Sequence, residues 1–396
     1  MNTLRLTAFS LAALLLGTAG VIACATDDDA SPPKDPDPVI PLPGVDAALE
    51  ADAAKAEGGC ADAAGCVETT DCTKVDFCGV TFPAASSVAL NAIWGSSATD
   101  VWAVGTRGTI VHGDGSTFTP VASGTSDVFF AVWGTGANDV WALNGTTPVH
   151  STGFTGGTTA FVDVKGTSWN PEQAATGRVW AGYSTSATAV WLGGEPTARF
   201  VPTFGEQNSI WRIADSGDGG SAWRRAPACS DQQPCTPQVR AFWGSDGGAV
   251  LAAVGMKGQA FRLDDPDAGH WAFENPQTGN DLEALWGSGP SDLWAVGQSG
   301  TIRHATSPGV WTAVTSPTTK DLHAVWGSGP NDVWIVGDAG TVVHFDGKAW
   351  TQATIGLGNG SVPTSLRGVW GSGPDDVWIV GEGLLLHRTA LSRRHS

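Results

Sequence analysis

Short apolar runs and tight turns alternate along most of this chain, and residues 322 to 354, LHAVWGSGPNDVWIVGDAGTVVHFDGKAWTQAT, show the scheme. LHAVWG is read as a first strand, VWIVG as a second, TVVHFD as a third and AWTQAT as a fourth. SGPND, DAG and GK supply the turns between them. Leu322, Ala324 and Trp326 fall on one side of the first strand and Val325 on the other. Both faces are therefore apolar, which predicts a small antiparallel sheet covered on both sides. Trp326 and Trp334 sit symmetrically about the turn, so they are expected to be cross-strand neighbours filling the gap to the next sheet.

This unit recurs. WGSGPNDVWIVG, Trp326 to Gly337, has close copies beginning at Trp94, Trp133, Trp286 and Trp370 and weaker ones at Trp180 and Trp243. Successive first tryptophans are 39, 47, 63, 43, 40 and 44 residues apart, the length of a four-stranded propeller blade. In the third unit RVWAGY (178 to 183), AVWLGG (189 to 194), SIWRIAD and SAWRRAP supply the four strands, giving seven units. The last unit stops after LLLHRTA with three strands, and VTFPAAS (80 to 86) precedes the first. The expected fold is all-β: a seven-bladed β-propeller of four-stranded antiparallel blades over residues 79 to 390, closed by an N-terminal strand that removes the open sheet edge.

Repeated polar positions have structural duties available to them. Asp100, Asp139, Asp292, Asp332 and Asp376 each follow the first Trp by six residues and are expected to accept backbone N–H bonds at the turn. His112, His150, His304, His344 and His387 end the third strand in five units, where Arg212 and Arg262 stand in the other two; third strands diverge outward, so these side chains are read as separate hydrogen-bonders, not a shared metal site. Excess length lies at 163 to 177, 195 to 208, 228 to 238 and 355 to 364. In a four-stranded meander all four positions fall on one face, and loops gathered on one face of a repeat scaffold commonly bind. The candidate binding residues are Tyr183, Glu195, Arg199, Trp211, Arg224 and Arg225, around the expanded third unit.

Composition adjusts this picture at the N-terminus. Arg5, the apolar run from Leu6 to Leu16 and the small residues after it have the layout of a signal peptide over residues 1 to 23. Val21-Ile22-Ala23-Cys24 resembles a bacterial lipobox, which implies lipidation of Cys24, export and anchoring to the outer membrane. Residues 24 to 58 read as an acidic, proline-rich linker, with DDDASPPKDPDPVIPLPG from Asp27 to Gly44 as an extended tether. The six remaining cysteines are an even number in an exported chain: Cys60, Cys66, Cys72 and Cys78 in a module at 59 to 78, and Cys229 and Cys235 in one loop. Their six-residue steps do not match zinc spacings, so disulfides are expected and no metal or other cofactor. The net charge is −18 and no basic stripe exists to hold phosphates, which argues against nucleic acid. Glycine at 53 of 396 residues and 19 Trp against a single Tyr suit tight turns packed on flat side chains.

The WGSGPNDVWIVG phrase resembles tandem-repeat β-propeller lipoproteins of Gram-negative bacteria and, more distantly, the photosystem-assembly-factor and sialidase-like propellers. HFDGKAW (344 to 350) and HGDGSTF (112 to 118) are similar to the sialidase Asp box but lack its residue between Asp and Gly. No arginine cluster, carboxylate pair or Ser/His/Asp arrangement can be placed. The leading expectation is a monomeric, non-catalytic envelope scaffold that binds an envelope or extracellular protein through its decorated face. The alternatives are a glycan-binding lectin or adhesin and, after it, a sialidase-like or polysaccharide-cleaving enzyme.

Overall fold

In the computed structural model the described residues are 71–84, 87–145, 147–156, 159–163, 179–186, 189–195, 210–215, 221–225, 238–245, 248, 250–263, 271–357 and 365–389. Cys24, Cys60, Cys66, Cys229, Cys235, Arg199, the leader, the tether and most of the three longest insertions lie outside them. Among the described residues no helix is long and apolar enough to cross a membrane.

The chain is a seven-bladed β-propeller. Six four-stranded antiparallel sheets each run inner to outer in chain order, and a seventh sheet contains both ends of the domain. Blade 6, for example, consists of Leu322–Gly329, Asp332–Gly337, Val342–Phe345 and Trp350–Gln352. The inner hairpin is tighter than the sequence suggests: its strands run on to Gly329 and Asp332, leaving a two-residue turn. The third unit forms a complete blade from Val179–Ser186, Ala189–Gly194, Ile210–Asp215 and Ser221–Arg225.

The blade interfaces explain the motif. Trp326 pairs with Trp334 across the inner hairpin, as expected from their symmetry. Trp334 is 1% exposed and packs with Val369 and Val377 of blade 7. Trp326 lies over Gly371 of that blade, where an added Cβ would come within 2.7 Å of the indole and 2.5 Å of the Asp376 carbonyl oxygen. Glycine follows the motif tryptophan because the preceding blade's ring occupies the space a side chain would need. Trp94 on Gly134, Trp243 on Gly287, Trp286 on Gly327 and Trp370 on Gly95 repeat the contact around the ring.

The third blade breaks the rule and changes the alignment. The residue paired with Trp191, and so equivalent to Trp326, is Tyr183 and not Trp180. Tyr183 reaches Gly244 of blade 4 and donates its hydroxyl to that residue's carbonyl at 3.0 Å. Ser184 takes the usual glycine position; Trp133 donates to its hydroxyl at 2.9 Å and rests on Gly182 instead.

An N-terminal strand closes the ring, but it is Phe77–Gly79 and not the segment at 80 to 86. Cys78 and Gly79 pair antiparallel with His387 and Leu386, and the Val80 N–H continues the ladder to the Leu385 carbonyl. Phe77 wins this place because it is fully buried, edge-on to Trp334 at 5.1 Å. Asp76 adds a 2.9 Å ion pair to Arg388, and Cys72 and Cys78 are disulfide-bonded. Ile355–Gly356, counted in the sequence as loop decoration, pairs parallel to Phe77–Gly79 as a fifth strand.

Candidate functional site

Two sets of polar residues recur from blade to blade, at opposite ends of the sheets. At the end carrying the inner hairpin turn, the aspartates and histidines that look independent in sequence form one cluster. In blade 6 the Asp332 carboxylate receives the Ser328 hydroxyl on one oxygen and contacts His344 Nε2 on the other at 2.6 Å. The same Ser/Thr–Asp–His arrangement occurs with Asp100, Asp139, Asp292 and Asp376, with His–Asp distances of 2.5 to 2.9 Å. The expectation that these carboxylates cap backbone N–H groups is therefore corrected: their partners are side chains, because a bulge before Asp turns the Ser hydroxyl toward it.

Tryptophan completes each cluster. In blades 1 and 2 the indoles of Trp102 and Trp141 donate to the carboxylate, whereas in blades 5 to 7 Trp294, Trp334 and Trp378 stack flat on the histidine at 3.8, 4.0 and 3.6 Å. Burial alone would raise the pKa of Asp332, but the hydrogen bonds from His344 and Ser328 outweigh it and the net shift is downward. Asp100 and Asp376 shift the same way for the same balance of causes. This is not nucleophile chemistry. Asp lies between Ser and His, so the hydroxyl faces a carboxylate and not the imidazole base a Ser-His-Asp relay requires. Arg262 takes the histidine position in blade 4 and donates to the Pro290 carbonyl, and Arg212 in blade 3 lies 5.8 Å over the Trp191 ring.

The opposite end of the ring differs in kind. Six inner strands carry a register shift at their second residue: at Asn91, Trp180, Arg240, Glu283, His323 and Arg367. Such a bulge re-aims one side chain. In blade 2 the equivalent residue is Phe130, just before the strand, with its N–H bonded to the Leu143 carbonyl. These seven residues line a single cavity of about 280 Å³ at the propeller axis. Below them lies a second space of about 270 Å³, bordered in part by Ala92, Ala131, Ala181, Ala241, Ala324 and Gly368, whose small side chains leave it open. Seven equivalent positions thus deliver six kinds of side chain to one mouth, arginine twice.

Their charges are matched in place. Arg240 stacks 4.7 Å over Trp180, reaches Glu195 at 3.4 Å and stands 3.9 Å from Glu283. Phe130 stands edge-on to Trp180 at 5.3 Å. Arg367 pairs with Glu382 at 2.7 Å and His323 with Asp338 at 2.8 Å. Burial raises the Glu283 pKa; Asp281 and Asp321 add to this, while Arg240 and His323 oppose it.

Glu195, Asp338 and Glu382 sit just after second strands, so the mouth opens on the face to which the long insertions attach. Among the described residues, Glu195 of the candidate binding set touches the mouth. Tyr183 is wedged between blades 3 and 4, Trp211 is 4% exposed within the blade, and Arg224 and Arg225 lie on the outer strand, paired with Arg212 and Trp211. The mouth residues were missed in the sequence, yet they carry a signal: in Leu-x-Ala-apolar-Trp-Gly the x position varies most between otherwise constant neighbours.

No protein-family description and no curated protein matches the chain. Solved structures do. A YCF48 bound to a D1 peptide superposes with a TM-score of 0.58 at 19% identity, covering 82% of this chain and all of that one. YCF48 from Cyanidioschyzon merolae gives 0.57 at 16% identity, covering 78% of this chain and 97% of that one. At these identities the likeness is one of fold.

Proposed function

We propose that this chain is a non-catalytic scaffold of the cell envelope that holds a protein partner on the face bearing the axial mouth. The observation that carries the reading is that seven equivalent positions, six of them at bulges, bring aromatic, charged and amide side chains to one mouth. A metabolic pocket needs convergent reactive groups; a recognition surface needs distinct side chains on a rigid frame. The similar fold of a YCF48 bound to a peptide supports the same use of a propeller.

The closing strand enters from the face opposite the mouth. The test is partner capture from crosslinked envelopes with the intact chain and with one lacking 195 to 208 and 228 to 238. Loss of the captured protein is expected; an unchanged partner set refutes the reading.

A further inference from the structure

We infer that the axial mouth is a pocket for one aromatic side chain of the partner polypeptide, an inference that rests on the scaffold reading above. Size is the first argument. The mouth itself, about 280 Å³ above a second space of about 270 Å³ bordered by small side chains, has room for one large side chain.

Chemistry is the second. Phe130 is 38% exposed, unusual for phenylalanine, and it stands at the axis beside Trp180. The two rings offer an incoming ring an edge and a face, an arrangement worth about 0.5–1.5 kcal/mol beyond burial.

Charge is the third. The ionisable groups at the mouth already face one another: Arg240 lies 3.4 Å from Glu195 and 3.9 Å from Glu283, Arg367 pairs with Glu382, and His323 with Asp338. An acidic or basic ligand side chain would have to compete with one of these pairs. A neutral ring leaves all of them intact, and can lie against the guanidinium planes of Arg240 and Arg367.

The test uses blocked single residues as probes on the full chain: the N-acetyl amides of Phe, Tyr, Leu, Asp and Lys, followed by ligand-detected NMR titration. The Phe and Tyr probes should bind at least about tenfold more tightly than the others, equivalent to roughly 1.4 kcal/mol. Phe130→Ala and Trp180→Ala should each abolish that preference, and Phe273→Ala, on an exposed aromatic of the blade 4 outer strand, should leave it unchanged.

Thermal unfolding of each variant separates lost binding from lost folding, and Phe130→Ala is the safer variant because Phe130 is partly exposed. Equal binding of the Leu and Phe probes, tighter binding of Asp or Lys, or a preference that survives both mouth variants would overturn the inference. A captured partner that still depends on the insertions would in that case leave the scaffold reading standing.

Discussion

Replacing Phe77 by alanine should loosen the whole ring, although the residue lies outside the repeat. Phe77 is fully buried against Trp334, Val336, Val342, Leu366 and Leu386, so its ring joins blade 7 to blade 6. Truncating a buried phenylalanine costs about 3–5 kcal/mol. With about 2–4 °C lost per kcal/mol in larger domains, the melting midpoint should fall by roughly 6–20 °C. Circular dichroism against temperature measures this on the purified chain. Ile355→Ala, in the fifth strand outside Phe77, should cost less than half as much because Ile355 is only half-buried. A Phe77→Ala midpoint within about 2 °C of the parent would show that the closing strand contributes little, and the closure argument would fail.

Four other outcomes follow from the same contacts. Gly371→Ala should cost about 1–3 kcal/mol in urea unfolding by overpacking against Trp326, whereas Gly373→Ala, with nothing within 4 Å, should stay within about 0.5 kcal/mol. Asp332→Ala should cost about 1–3 kcal/mol in the same assay by leaving Ser328 and His344 without their acceptor. Reducing Cys72–Cys78, which closes a six-residue separation, should lower stability by about 2 kcal/mol; a thiol reductant without effect on the midpoint would contradict that. Asp76 has its pKa lowered, as bonds from Thr354 and Arg388 overcome the opposing effect of burial. Its folded pKa lies below the ordinary 3.8, so its contribution is complete above that value and is lost as pH falls through the lower one. Asp76→Asn should therefore flatten the acid limb of the stability profile, and an unaltered limb would refute the assignment.

The fold was legible because its repeat ties local pattern to packing. Two apolar faces and a pair of tryptophans about a turn both reflect the neighbouring blade, so the strands of blade 6 could be read within a few residues. Misreadings arose where one residue type stands in for another. Tyr183 replaces the motif tryptophan, and Trp180, three residues earlier, drew the alignment to the wrong position. The closing strand was displaced because the burial of Phe77 and the Asp76–Arg388 pair depend on residues more than 250 positions away. The mouth was hidden for a different reason. Variability at the second inner-strand position is its one trace in the sequence, and without knowledge of the backbone bulge there Arg240, Glu283 and His323 read as ordinary variation in a strand.

If partner contact is confined to the mouth face, site-specific photocrosslinking in the host cell will show it. A photoreactive residue at exposed Arg107, in the turn between the second and third strands of blade 1, reports on the mouth face. One at exposed Ser116, in the turn between the third and outer strands of the same blade, reports on the opposite face. A discrete crosslinked protein is expected from position 107, lost on adding Trp180→Ala, and none from position 116. The same product from both positions, or from 116 alone, would mean that the partner is not held on that face.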